Sequence, residues 1–270
     1  MAYAKTLQRP DIGAFDPSQE IRQVPVKEGK KREKEKSQIR IETSAELTPV
    51  ERVILRRRST RKYKKQQVPE HMIRRMLEAA RFAPSAGNCQ PWRFIVIQKK
   101  ELIERMEKTI LEKMAPLNFL KEAKPHGWAH KALLTLLGIV RMNAGELRPV
   151  GGITEILKGK LLIFHNAPTV ILVLKDKRGV SHPEFDTALA SHNMVLTAHA
   201  MGLGTCYVGF VEFLKFDSAF MNKLGIEYPW EIQIAVTVGF PRFDSDGEAQ
   251  RDMPQIDWYD DANPEGRIVY

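Results

Sequence analysis

Apolar side chains recur at spacings of three and four through Met72, Ile73, Met76, Leu77 and Ala80, which predicts an amphipathic helix that must stop before Pro84. From Phe94 the run Phe-Ile-Val-Ile is rich in β-branched residues and reads as a buried strand. Between them lies Pro84-Ser85-Ala86-Gly87-Asn88-Cys89-Gln90-Pro91, a stretch of small and amide residues. The small side chains let another molecule come close to the backbone, and Ser85, Asn88 and Gln90 offer donors and acceptors that can edge a flat polar heterocycle. An ordinary helix-to-strand turn has the same composition.

The same pattern analysis extends along the chain. Thr48-Pro49-Val50-Glu51 has the form of a helix start: Thr48 caps, Pro49 suits the first position and Glu51 completes a capping box. That helix is expected to bury Val50, Val53 and Ile54, and Val68-Pro69-Glu70 to open the next one. Further helices are expected over Glu101 to Met114, around Leu133 to Val140, over Phe185 to Met201, and over Phe213 to Leu224. Leu189, His192, Val195, Leu196 and His199 fall near one stripe of the long helix, which reads the two histidines as core residues. It closes on Gly202-Leu203-Gly204, a glycine stop. Strands are expected at Ala167 to Leu174, Thr205 to Phe210 and Glu231 to Val238, the last ending at Gly239-Phe240-Pro241. Helices and strands alternating in this way indicate a layered α+β or α/β domain and exclude a sandwich.

Residues 1–46 lack any sustained apolar period and form a charged extension, flexible or draped on a partner, while the last thirty or so residues resemble a second extended arm. The core domain spans 47–260, with a variable lid-like region at 116–159 and a short tail at 261–270. His126 and His130 in the lid have no acidic partner at ligand spacing and read as surface histidines.

Composition narrows the classes. A 43% apolar content over 270 residues is ordinary for a globular protein. No apolar run reaches the roughly 18 residues of a membrane helix. The first ten residues lack a signal-peptide core, so a cytoplasmic protein without membrane partners is expected. Cys89 and Cys206 are the two cysteines and support neither a disulfide framework nor a metal site. The formal charge of +9 raises nucleic-acid binding, but no recognition motif accompanies it, and no such partner is expected. The charge matters in one place. Arg56-Arg57-Arg58-Ser59-Thr60-Arg61 puts guanidiniums and a hydroxyl within two helical turns, the donor set for a phosphate, although the helix C-terminal dipole would also favour a solvated basic face. Dinucleotide-fold, P-loop and hydrolase-elbow motifs are absent.

Arg57-Arg58-Ser59-Thr60-Arg61, Ala83-Pro84-Ser85-Ala86-Gly87-Asn88-Cys89-Gln90-Pro91-Trp92 and Gly202-Leu203-Gly204-Thr205-Cys206-Tyr207-Val208-Gly209, with Gly239-Phe240-Pro241 and Arg251 after them, occur in an order and spacing that resembles the nitroreductase family. The resemblance covers about residues 47–260. It implies an α+β fold with a mixed sheet flanked by helices, in an intertwined homodimer with two FMN sites at the interface. By the same resemblance Arg57, Arg58 and Ser59, joined by Arg251, hold the FMN phosphate. Arg61 stands near flavin N1 and the C2 carbonyl, where a cation favours the anionic reduced ring. Pro84, Ser85, Ala86, Asn88 and Gln90 reach the flavin from the other subunit, and Tyr207, Val208 and Gly209 lie beside the ring.

The implied activity is hydride transfer from NAD(P)H to FMN and then to an acceptor such as a nitroaromatic or quinone, by a ping-pong scheme with no protein nucleophile and no metal. Reductive dehalogenation, flavin fragmentation and a non-catalytic FMN-binding module are the alternatives. The extension before residue 47 and the lid region match no subfamily pattern.

Overall fold

The computed structural model describes residues 47–116, 153, 155–178, 182–243, 251, 254–261 and 263–269. The expected extension at 1–46, the helix around Leu133 to Val140, His126, His130 and most of the lid region fall outside these residues. The chain divides into two compact units, residues 47–249 and residues 1–46 with 250–270.

The larger unit is built on a four-stranded sheet in the order β1-β2-β4-β3, with β1 at Trp92–Ile97, β2 at Thr169–Asp176, β3 at Gly204–Val208 and β4 at Trp230–Gly239. All three ladders are antiparallel. A parallel bridge between Ser59 and Thr205 adds the arginine-rich segment outside β3 and gives that edge its mixed character. The α+β class therefore holds. Central β2 is buried along Thr169–Leu174, because helices cover both faces of the sheet. This is why its apolar run is continuous and does not alternate.

One face carries α3 (Lys100–Lys113) and a core containing Met106, Ile110, Phe164, Leu172 and Leu214. The other carries α2 (Glu70–Arg81) and α4 (Pro183–Ala200), with Ile73, Met76, Ile171, Val173, Met194 and Val236 between helices and strands. Burying each such side chain contributes about 1.5–3 kcal/mol.

Local signals place the element ends well. In α1 (Pro49–Arg56) the Thr48 hydroxyl accepts the Glu51 N–H at 3.2 Å, and Glu51 Oε2 accepts the Thr48 N–H at 2.7 Å. At the other end of α4, Gly202 adopts φ +76° and the Leu203 N–H reaches back to the Ala198 carbonyl at 2.9 Å. The segment expected as one helix over Phe213 to Leu224 is split. A tight 3₁₀ run occupies Gly209–Phe216, Asp217 then caps by accepting the Phe220 N–H at 2.9 Å, and α5 follows at Ser218–Lys223.

Two expectations about helix faces need correction. No residue of α1 is buried: Val50 is 66% and Ile54 48% exposed. In α4 the buried side is Asp186, Thr187, Ala190, Ser191, Met194, Val195 and Ala198, so His192 is exposed and His199 only half-buried. The helix is apolar around much of its circumference, and periodicity alone does not select the face that meets the sheet.

In the smaller unit the expected arm contains an antiparallel hairpin, β5 (Ile256–Asp260) paired with β6 (Asn263–Val269).

Candidate functional site

After α1 the chain turns at Arg57, whose backbone is extended (φ −62°, ψ 129°), and runs along the outer side of β3. The Thr60 N–H donates to the Thr205 carbonyl at 2.8 Å, the Lys64 N–H to Phe240 at 2.8 Å, and the Arg242 N–H to Lys62 at 3.0 Å. Two glycines permit this approach. A Cβ on Gly204 would lie 2.5 Å from Thr60 Oγ1 and 2.6 Å from Thr60 Cβ, and one on Gly239 would lie 2.8 Å from Pro168 Cδ and 2.9 Å from Tyr63 Cδ1. Thr60 Oγ1 is buried there without a hydrogen-bond partner among the described residues. The Tyr63 hydroxyl donates to the Thr60 carbonyl at 2.6 Å and lies 2.8 Å from Thr237 Oγ1, which donates to the Cys206 carbonyl at 3.1 Å. Burial holds the Tyr63 phenol protonated well beyond the usual tyrosine range.

Along this segment Arg57 is half-buried while Arg58, Ser59 and Arg61 are exposed. Arg57, Ser59 and Arg61 converge on Cys206. Burial pushes the Cys206 thiol up, while the Arg61 charge, the nearby Ser59 hydroxyl and Arg61 guanidinium, and the Arg57 charge pull it back. The Arg57 charge also reaches Tyr207 and His192, and partial desolvation of the otherwise exposed His192 ring, with that charge, lowers its imidazole. Burial and Arg61 together lower His165, which sits with Asn166 in a left-handed turn (φ 55° and 54°) before β2. No carboxylate among the described residues pairs with Arg57, Arg58 or Arg61.

Tyr207 ends the segment's neighbourhood half-buried, its hydroxyl 3.2 Å from Ser191 Oγ on α4. Val208 points into the α3-side core, leaving only its backbone for a ligand. Gly209 is exposed, and a Cβ there would meet no atom within 4 Å.

The loop from Pro84 to Gln90 is placed elsewhere, before β1 at the opposite edge of the sheet from β3. Pro84, Asn88 and Gln90 are exposed, and Ser85 and Ala86 half-buried. The loop closes on itself: the Gln90 N–H donates to Ser85 Oγ at 3.0 Å and Gln90 Nε2 to Asn88 Oδ1 at 3.1 Å. Gly87, Asn88 and Gln90 all have positive φ (58°, 57° and 50°). The Ala86 N–H donates to Asp186 Oδ2 at 3.2 Å. Arg251 is exposed and lies in the smaller unit.

Residues 54–240 match the family model described as the nitroreductase family. The chain belongs to that family. Among curated relatives, a Methanothermobacter thermautotrophicus protein with the provisional name NADH dehydrogenase/NAD(P)H nitroreductase is 28% identical over 156 residues, 57% of this chain. The chain thus spans 56% of that relative's length. Among solved structures, a Desulfitobacterium hafniense nitroreductase with bound FMN aligns at TM-score 0.58 and 21% identity, over 76% of this chain and 96% of that one. An iodotyrosine deiodinase bound to FMN and 3-iodo-L-tyrosine aligns at TM-score 0.53 and 20% identity, over 78% and 99%. Both likenesses establish the nitroreductase fold for the chain.

Sequence motifs single out Arg57, Ser59, Arg61 and Tyr207, which the structure gathers around β3. They miss Thr60, Tyr63, Thr237 and His165, which hold or flank that segment. The close spacing of Gly204 to a strand start was the one local hint, since a second glycine is not needed to stop α4. No helix among the described residues is long and apolar enough to cross a membrane.

Proposed function

We propose that this nitroreductase-family oxidoreductase binds FMN and passes reducing equivalents from NAD(P)H to a small-molecule acceptor, a nitroaromatic or quinone, by a ping-pong scheme. The observation that carries the reading is the row of Arg57, Arg58 and Arg61 with Ser59, laid along β3 without a described carboxylate to neutralise it. Neighbouring guanidiniums repel one another, and a phosphate monoester relieves that repulsion with bidentate, charge-assisted hydrogen bonds. The donor set therefore fits the FMN phosphate. The loop fits the ring: Asn88 Oδ1 is occupied by Gln90 Nε2, which leaves the Asn88 amide hydrogens and Gln90 Oε1 as a mixed donor–acceptor edge.

FMN, when bound, supplies the redox chemistry, taking up two electrons and a proton and handing them on. The residues of the chain hold and bias it. Arg57, Arg58 and Ser59 would hold the phosphate, Arg61 would stand at the N1 and C2 carbonyl edge, and the backbone of Tyr207, Val208 and Gly209 would lie beside the ring. Pro84, Ser85, Ala86, Asn88 and Gln90 would come from a second subunit.

Purified protein is expected to be yellow and to release FMN, not FAD, on denaturation. Anaerobic NADH or NADPH should bleach it, and a panel of nitroaromatic, quinone and iodophenol oxidants should restore the colour. Colourless protein that takes up no added FMN ends the reading. Bleaching without sustained NAD(P)H turnover on any oxidant assigns a sensor role instead.

The shared site requires a homodimer, and the exposed apolar side chains of α1 (Val50 66%, Leu55 45%) together with Phe185 of α4 (63%) are surfaces a second copy would cover. Light scattering should show a dimer for the FMN-loaded protein. A monomer with undiminished FMN affinity would contradict the assignment of the loop to a partner.

A further inference from the structure

We propose that Asp186, at the start of α4, is the positioning residue of the flavin loop; the inference rests on the FMN reading above. The residue is 4% exposed, and no lysine or arginine among the described residues pairs with its carboxylate. Burying a carboxylate is unfavourable unless hydrogen bonds and fixed dipoles compensate. Asp186 sits in the first turn of α4, where the helix dipole favours negative charge. It also accepts the Ala86 N–H, from a residue 100 positions away, at 3.2 Å.

The loop's own hydrogen bonds give it a shape. The Asn88 N–H donates to the Ser85 carbonyl at 2.9 Å, the Cys89 N–H to Ala86 at 3.1 Å, and Gln90 bonds to Ser85 and Asn88. None of these bonds fixes how the loop stands on the domain. Its ends are set by α2 and by Pro91 before β1; the Pro91 carbonyl accepts the Asp176 N–H at 2.9 Å and the Thr187 hydroxyl at 3.5 Å. Among the described residues the bond to Asp186 is what ties its middle to the body of the protein. The tie matters because Asn88 and Gln90 both have positive φ, a conformation that non-glycine residues keep only when the surroundings hold them there. These are also the two residues whose amides would meet the ring. Asp186 thus acts through Ala86 on the aim of Asn88 and Gln90.

The test is FMN affinity of the full chain by fluorescence titration, with each variant measured well below its own melting temperature. Asp186→Ala removes the acceptor and should weaken FMN roughly ten- to hundred-fold, the range for a lost charge-assisted bond. Asp186→Asn keeps a carbonyl oxygen and should recover most of the affinity. Ala86→Pro removes the N–H while adding a ring and fixing φ. Ser85 is extended (φ −146°, ψ 152°), as a residue before proline must be, and Ala86 opens a 3₁₀ turn, where proline fits. Ala86→Pro should weaken FMN as Asp186→Ala does, and the double variant should be no weaker than the worse single, since both act through one bond.

Additive losses, no rescue by asparagine, or unchanged affinity in both single variants overturns the inference while wild-type FMN binding stands. If Asp186→Ala does not fold, Asp186→Asn and Ala86→Pro decide alone: near-wild-type affinity for the first and a loss for the second support the role, and any other pair of results overturns it. Wild-type protein that binds no FMN removes the functional reading and this inference together.

Discussion

Gly204→Ala is expected to detach the arginine segment from β3 and so lower both the melting temperature and the affinity for FMN. The added methyl would sit 2.6 Å from Thr60 Cβ, an atom fixed to the backbone, so no side-chain rotation removes the clash. Thr60 in turn is held by its N–H bond to Thr205 at 2.8 Å and, through its carbonyl, by Tyr63 at 2.6 Å. Overpacking of this kind costs about 1–3 kcal/mol, and in a protein of this size each kcal/mol is about 2–4 °C in melting temperature. Arg57, Ser59 and Arg61 would move with the displaced backbone, so FMN binding should fall as well. Gly209→Ala is the control, because its Cβ would meet no protein atom within 4 Å. It should leave the melting temperature nearly unchanged and weaken FMN only through the ring it would face. Calorimetry and flavin titration of the two variants separate these effects, and a Gly204→Ala protein with wild-type melting temperature would refute the close-packing argument.

Arg57→Ala and Arg61→Ala are expected to fail in different ways. A phosphate contact is the same whether the ring is oxidised or reduced. Removing the Arg57 guanidinium should therefore weaken FMN by the worth of a charge-assisted hydrogen bond, about 1.5–3 kcal/mol, or roughly ten- to hundred-fold, with little change in potential. On the proposed assignment Arg61 would face N1 and stabilise the anionic reduced ring more than the neutral oxidised one. Its removal should lower the two-electron midpoint potential and slow reduction by NAD(P)H. A differential interaction of about 1.4 kcal/mol corresponds to about 30 mV, and the solvent exposure of Arg61 makes the shift smaller. Spectroelectrochemistry of the two variants checks this. An Arg61→Ala protein with altered affinity and unaltered potential would make Arg61 another phosphate cation.

The candidate site was legible in part. Arg57, Ser59 and Arg61 stand out because guanidiniums with an adjacent hydroxyl are chemically distinctive in any context. The loop stands out because glycine and amides are distinctive between a helix and a strand. The groups that hold these segments are not distinctive. Thr60, Tyr63 and Asp186 become noticeable only when Gly204, Thr237 and Ala86 lie against them, at separations of 144, 174 and 100 residues.

By itself the sequence determined what depends on the torsional and hydrogen-bonding preferences of a few neighbouring residues. The Thr48–Glu51 capping box, the start of α2 after Pro69, the left-handed Gly202 at the end of α4 and the apolar run of β2 are of this kind. The tertiary structure decided the order β1-β2-β4-β3, the face on which α4 is buried, the exposure of α1 and His192, and the docking of the arginine segment on β3. Each of these compares surfaces far apart in the chain. An apolar helix such as α4 satisfies its local preferences whichever way it faces, and only packing against the sheet selects one face.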